Sequence, residues 1–153
     1  MSQDAELGGL PGPEEGPESN PESTISYIPY DPGLENSYVP AMRGLISQEL
    51  SEPYSIYVYR YFLYQWGDLC YLAMDPGMTK TESQEGKEGE GMVGVVVSKL
   101  EPHRGGPLRG YIAMLAVQED YRGRGIATRL VRMTIDKMVD RGADEVCVLI
   151  FPV

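Results

Sequence analysis

The sequence is poor in the residues that would place it in several large protein classes. Two cysteines, Cys70 and Cys147, and one histidine stand in 153 residues. That is too few for a disulfide scaffold or a thiolate metal site, so both cysteines are expected reduced and in the core of a protein in a reducing compartment. No run approaches the roughly 20 uncharged apolar residues of a membrane-spanning helix. The first residues, MSQDAELGG, lack the basic and apolar regions of a secretory signal. Basic residues are also scarce: 13 Lys and Arg against 23 Asp and Glu give a formal charge of −10. Such a balance argues against non-specific nucleic-acid binding. A soluble, cytoplasmic protein without membrane insertion is expected.

The charge is unevenly distributed. Residues 1–40 hold eight acids, no Lys or Arg, and seven of the twelve prolines. Like charges repel there and few large aliphatics are on offer, so composition predicts a disordered acidic Pro/Gly-rich tail over 1–40. Residues 41–153 carry fifteen acids and thirteen bases and are nearly neutral. A second acidic, Gly-rich stretch at 75–91 has no apolar period and predicts a flexible hairpin loop, with room for a helical turn at 81–85.

Between these segments the periodicities predict helices, strands and their order. Met42, Leu45, Ile46 and Leu50 repeat at helical spacing. Tyr59, Phe62, Leu63 and Trp66 do so again before Gly67. Ser51 or Glu52 is suited to cap the second helix, with Pro53 in its first turn. Residues 70–74, 92–100 and 111–117 are short apolar runs bounded by Gly, Pro and Asp, as strands are. Ala127, Leu130, Val131, Thr134, Ile135 and Met138 form one helical face that Gly142 ends, and 145–151 predicts a last strand. The order is α/β with an α+β-like beginning, and its final strand–helix–strand unit should be parallel and right-handed.

The chemistry concentrates in YIAMLAVQEDYRGRGIAT, residues 111–128. A strand ends, and a segment with two arginines and two glycines opens a helix. Glycines let backbone approach a ligand, and the unpaired N–H groups of a helix start favour anions. A phosphorylated ligand is expected. No Gly-Lys-Ser/Thr follows the turn, which excludes a P-loop. A dinucleotide fingerprint is half met: Gly123 and Gly125 fit, but Thr128 stands at the third glycine. Glu145 lies about twenty residues on, yet it precedes its strand and no second βαβ unit follows. A third pattern, Arg/Gln-x-x-Gly-x-Gly/Ala, is met by Arg122, Gly125 and Ala127.

On that pattern, with Leu-x-Glu-x-Tyr at Leu50, Glu52 and Tyr54, the chain resembles the GCN5-related N-acetyltransferases (GNAT), and among them the catalytic subunits of NatC-type N-terminal acetyltransferases. The likeness spans about residues 38–148. It implies a mixed sheet with two N-terminal helices and a βαβ coenzyme A-binding unit, acting on acetyl-coenzyme A as co-substrate without a metal. By the resemblance, Leu115, Ala116 and Val117 meet pantetheine and the acetyl group through strand backbone. Arg122, Gly123, Arg124, Gly125, Ile126 and Ala127 form the pyrophosphate loop, with Thr128 beside it. Glu52 is the candidate base for the substrate's α-amine, although a carboxylate at this place also serves as a helix cap. Leu50, Tyr54 and Tyr111 are the candidate substrate-binding residues.

The implied substrates are protein N-termini starting with Met and a bulky apolar residue. The implied partners are auxiliary subunits of a NatC-type complex and, through it, the ribosome. Several residues carry plainer readings. Tyr54, Tyr57, Tyr59, Tyr61 and Tyr64 cannot share one helix face, His103 stands alone in a loop, and Arg129 and Arg132 suit either a phosphate field or a solvated helix face.

The family pattern also implies a further helix and strands after 145–148, carrying an Asn and an Ala-x-x-x-Tyr segment. Here the sequence reads Leu149-Ile150-Phe151-Pro152-Val153. A C-terminally truncated GNAT domain over 41–153 is therefore the expectation, with an exposed strand edge. The competing expectation is an inactive product that binds coenzyme A or the auxiliary subunits.

Overall fold

A computed structural model describes residues 25–50, 54–78 and 91–148. Strand β1 (Ser26–Pro29) leads through a 3-10 turn into α1 (Glu35–Leu50) and α2 (Ile56–Trp66). Then come β2 (Tyr71–Met74), β3 (Met92–Pro102), β4 (Leu108–Val117), α3 (Ile126–Asp140) and β5 (Glu145–Val148). The sheet order is β1-β2-β3-β4-β5. The first four strands are antiparallel, and β5 joins β4 in parallel, as the strand–helix–strand pattern predicts. Among the described residues no helix is long and apolar enough to cross a membrane.

Helices cover both faces, which is why β3 reads as a nearly unbroken apolar run rather than an alternating one. On one face Met42, Leu45 and Ile46 of α1 and Tyr59 and Leu63 of α2 pack against Leu72, Val95, Val97 and Met114. On the other, Ile126, Leu130 and Met138 of α3 pack against Ala73, Val96, Leu100 and Ile112. Thr134 of α3 is the polar exception. Its buried hydroxyl donates to the Leu69 carbonyl (2.8 Å) and lies 3.0 Å from the Ser98 hydroxyl. Trp66, at the end of α2, donates its ring N–H to the Leu100 carbonyl (2.8 Å).

The N-terminal boundary differs from the expectation. The first described strand, β1, lies inside the predicted 1–40 tail, and α1 starts at Glu35 rather than Ala41. Composition averaged over 40 residues conceals a local apolar set. Tyr27 and Ile28 pair with Ala73 and Leu72, the Tyr30 N–H donates to the Cys70 carbonyl (2.9 Å), and Tyr38 and Val39 are buried. Their burial offsets the ordering entropy and holds even Pro40 inside a helix. Residues 1–24 lie outside the described residues.

One smaller difference concerns an element end, and two further elements lie partly outside the described residues. The N-cap of α2 is Ser55, and its side chain makes no capping bond; Ser51, Glu52 and Pro53 lie outside the described residues. The described part of the last strand is Glu145–Val148, and 149–153 lie outside. Of the hairpin at 75–91 the ends are described, closed by the Asp75 N–H on the Gly91 carbonyl (2.8 Å).

Strand β4 carries an irregularity that the alternation does not announce. Val97 pairs with Met114 but the adjacent Ser98 pairs with Ile112, so Ala113 is an extra residue, a β-bulge. The bulge reverses the side chains. Ile112 points to the α3 side, Met114 and Ala116 to the α1/α2 side, and Leu115 and Val117 to the α3 side. The described pairing with β5 runs from Arg109 with Glu145 to Ile112 with Val148, the last described residue. Among the described residues, 113–117 pair only with β3.

Candidate active site

Beyond Val117 the chain turns across the end of the sheet. The Gln118 N–H still bonds the Val93 carbonyl (2.8 Å), a 3-10 turn follows (Glu119–Tyr121), and Gly123 and Gly125 both adopt φ of +78°. A Cβ at either glycine would meet nothing within 4 Å. Backbone conformation, not crowding, therefore demands glycine there. Gly125 is the N-cap of α3, and with no side chain to cap the helix it leaves the first-turn N–H groups directed outward. They face a cavity of about 230 Å³ lined by Val117, Tyr121, Arg122, Gly123, Gly125, Ile126, Ala127 and Thr128.

A groove of about 550 Å³ shares Ala127 and Thr128 with this cavity and continues along Leu115, Val131, Arg132 and Ile135. Ala127, Val131 and Ile135, expected in the core face of α3, are thus half-buried on its flank. The fully buried positions are Leu130, Thr134 and Met138, with Ile126 nearly so.

Most of the loop residues singled out in the sequence come together around the cavity. Arg124 does not line it: its guanidinium lies 4.8 Å from the centroid of the Tyr121 ring. Leu115 lines the groove. Ala116 turns its side chain into the core on the other face, which leaves its backbone as the part that faces the open edge. Leu50 and Tyr54 sit half-buried against the α1/α2 core, Tyr54 edge-on to Tyr59 with centroids 6.4 Å apart. Tyr111 is held elsewhere. Its hydroxyl lies 3.0 Å from His103 Nδ1, and Lys99 and Arg109 lie over its ring. None of these partners is in the α1–α2 turn. Glu52 lies outside the described residues.

Two carboxylates missed in the sequence brace the loop. Glu49, at the end of α1 with a side chain 7% exposed, pairs with the Arg122 guanidinium and accepts the Glu119 N–H (3.3 Å). Asp75, buried at the end of β2, accepts a hydrogen bond from the Tyr121 hydroxyl. That bond raises the Tyr121 pKa, so the phenol stays protonated. The only signal for Asp75 is Asp-Pro-Gly, which reads as a turn and nothing more. Near the α1–α2 turn, the buried Tyr59 hydroxyl has no hydrogen-bond partner among the described residues, and burial raises its pKa.

An uncapped helix start, glycines in the left-handed region, an arginine in the wall and, beside it, a strand edge with no partner among the described residues form a site for a phosphate-bearing, extended ligand. The acetyltransferase (GNAT) family profile matches residues 39–151. The chain belongs to this family. GNAT enzymes use acetyl-coenzyme A, whose pyrophosphate and linear pantetheine arm suit such a cavity and edge. N-alpha-acetyltransferase 30 of Schizosaccharomyces pombe is 41% identical over 122 residues, 80% of this chain and 70% of that protein. N-alpha-acetyltransferase 30 of Saccharomyces cerevisiae is 47% identical over 124 residues, 80% of this chain and 64% of that protein. Among solved structures, a chain of the NatC complex bound to Gag peptide and CoA is 45% identical, with a TM-score of 0.69 over 81% of this GNAT chain and 72% of that one. The chain thus spans about two thirds of the length of the two yeast relatives.

Proposed function

We propose that this GNAT chain is an N-terminal acetyltransferase of the NatC type, moving an acetyl group from acetyl-coenzyme A to the α-amine of proteins that begin with Met and a bulky apolar residue. The observation that carries the reading is the anion cavity at the head of α3, set beside the stretch of β4 that has no β5 partner among the described residues. In this reading the N–H groups of Gly123, Gly125, Ile126, Ala127 and Thr128 hold the pyrophosphate, with Arg122 adding charge. The backbone of Leu115, Ala116 and Val117 aligns the pantetheine arm as an added strand would. Acetyl-coenzyme A supplies a thioester carbonyl open to attack. Glu52 takes one proton from the substrate ammonium, directly or through a water, and the freed amine attacks the carbonyl. As the carbon–sulfur bond breaks, coenzyme A leaves as the thiolate and takes up the second amine proton, giving the amide and free coenzyme A thiol. Leu50 and Tyr54 shape the pocket for the first residue of the peptide.

The 47% identity to a named N-alpha-acetyltransferase 30 supports the same reading. So does the 45% identity to a chain of a solved NatC complex, which favours auxiliary subunits as partners; a cytoplasmic, ribosome-associated place of action is part of the same proposal. The test is release of free coenzyme A thiol when the chain is incubated with acetyl-coenzyme A and a Met-Leu peptide, alone and co-expressed with NatC-type auxiliary subunits. Release above a Gly125→Asp control supports the proposal. Coenzyme A binding without turnover in either preparation overturns the catalytic reading and leaves a coenzyme-binding product.

A further inference from the structure

We infer that Asp75 is a positioning residue for the phosphate end of the coenzyme site: through Tyr121 it fixes one wall of the cavity and the place of the Arg124 charge at its rim. The inference rests on reading the cavity as the coenzyme site. Asp75 is only 4% exposed, and a carboxylate so far removed from water needs donors. Both oxygens have one. Oδ1 accepts the Gly77 N–H (2.8 Å), an ordinary turn contact, while Oδ2 accepts the hydroxyl of Tyr121, 46 residues further on. The turn alone requires neither the burial nor the second bond.

The carboxylate is presented from a fixed backbone. The Asp75 N–H bonds the Gly91 carbonyl, and Gly91, at φ +84°, approaches so closely that a Cβ there would lie 2.6 Å from the Asp75 carbonyl oxygen. Tyr121 is thereby held at both ends, its hydroxyl by Asp75 and its N–H by the Gln118 carbonyl (2.9 Å). Its ring lines the cavity on one side and carries the Arg124 guanidinium at 4.8 Å. Asp75 itself does not line the cavity. The phenol stands between the carboxylate and the phosphates and directs its O–H toward the carboxylate. A negative charge so close to an anion site is tolerated because it is spent on orienting that wall.

The experiment is calorimetric titration of the full chain with coenzyme A and, separately, with pantetheine, which lacks the pyrophosphate. Tyr121→Phe removes only the hydroxyl, Asp75→Ala removes the acceptor, and Asp75→Asn keeps an oxygen that can accept from Tyr121. Losing one such bond corresponds to about a five- to tenfold rise in Kd for coenzyme A in Tyr121→Phe and Asp75→Ala. Pantetheine affinity should stay unchanged. Asp75→Asn should recover most of the loss, and Arg124→Ala combined with Tyr121→Phe should be no weaker than the weaker single variant. Equal weakening of both ligands would mean a merely structural role and overturn the inference, as would unchanged coenzyme A affinity in Tyr121→Phe. If the unmodified chain binds no coenzyme A, the coenzyme reading of the cavity fails first and this inference with it.

Discussion

Replacing Thr134 with valine isolates the buried polar link that, among the described residues, ties α3 to the rest of the molecule. Valine has nearly the same shape, so no cavity forms and the change is chemical. A threonine hydroxyl has a single proton. If it goes to the Leu69 carbonyl at 2.8 Å, then the Ser98 hydroxyl at 3.0 Å must donate to Thr134. Thr134→Val therefore strands two groups, a carbonyl and a hydroxyl. Each buried unpaired group costs about 1–3 kcal/mol, so the expected loss for two is about 2–6 kcal/mol. Ser98→Ala alone should cost about 1 kcal/mol, because Thr134 keeps its bond to Leu69. The double variant removes one of the two stranded groups and should recover about half of what Thr134→Val loses. Urea unfolding followed by circular dichroism, with the m-value held in common, measures all three. A loss below about 0.5 kcal/mol in Thr134→Val, or a double variant no more stable than that single one, would refute the proton assignment.

Further outcomes follow from the same contacts. A Cβ at Gly94 would lie 3.1 Å from both Ile126 Cγ2 and Leu130 Cδ1 and 3.2 Å from the Ala73 Cβ; Gly94→Ala should cost about 1–3 kcal/mol by urea unfolding and weaken coenzyme A binding by moving the start of α3. Burial pushes the Cys70 thiol from 9.0 up to about 12, and burial followed by Glu35 pushes Tyr30 from 10.0 to about 12. The folded state keeps these protons where the unfolded chain releases them. The associated stability is therefore complete below about pH 9 and lost as pH rises toward 12, and Cys70→Ala should flatten the fall in urea midpoint between pH 9 and 11. Glu52→Gln should lower kcat about 100-fold or more while leaving the KM for acetyl-coenzyme A nearly unchanged, as steady-state kinetics will show.

The sequence displays what depends on near neighbours. The face of α3 is legible because Leu130, Thr134 and Met138 recur at helical spacing, and β3 because a strand covered on both sides has no polar face. The loop is legible because its glycines and arginines are consecutive. The bulge at Ala113 is not, since every residue from Ile112 to Val117 is apolar and alternation carries no signal there. The pairs Asp75 with Tyr121 and Glu49 with Arg122 are also hidden, being 46 and 73 residues apart. They are neighbours only because β2 and β4 flank β3 and because α1 ends beside the turn that leaves β4. The N-terminal boundary fails for another reason: an average over the acidic residues outweighs the few apolar side chains that dock, Tyr27, Ile28, Tyr30, Tyr38 and Val39.

The bulge also sets where this protein can change length. Adding or removing one residue between Ile112 and Val117 would exchange the two faces of the open edge, sending Leu115 and Val117 toward α1 and α2 and pulling Met114 and Ala116 out of their core. It would also rotate the start of the glycine loop by half a pleat. The hairpin at 103–107 and the span between Asp75 and Gly91 meet no such constraint, since each returns to its own partner strand whatever its length. Homologues should therefore differ freely in these two hairpins and keep a fixed residue count from the bulge to the first turn of α3, a pattern that comparison of family lengths can refute.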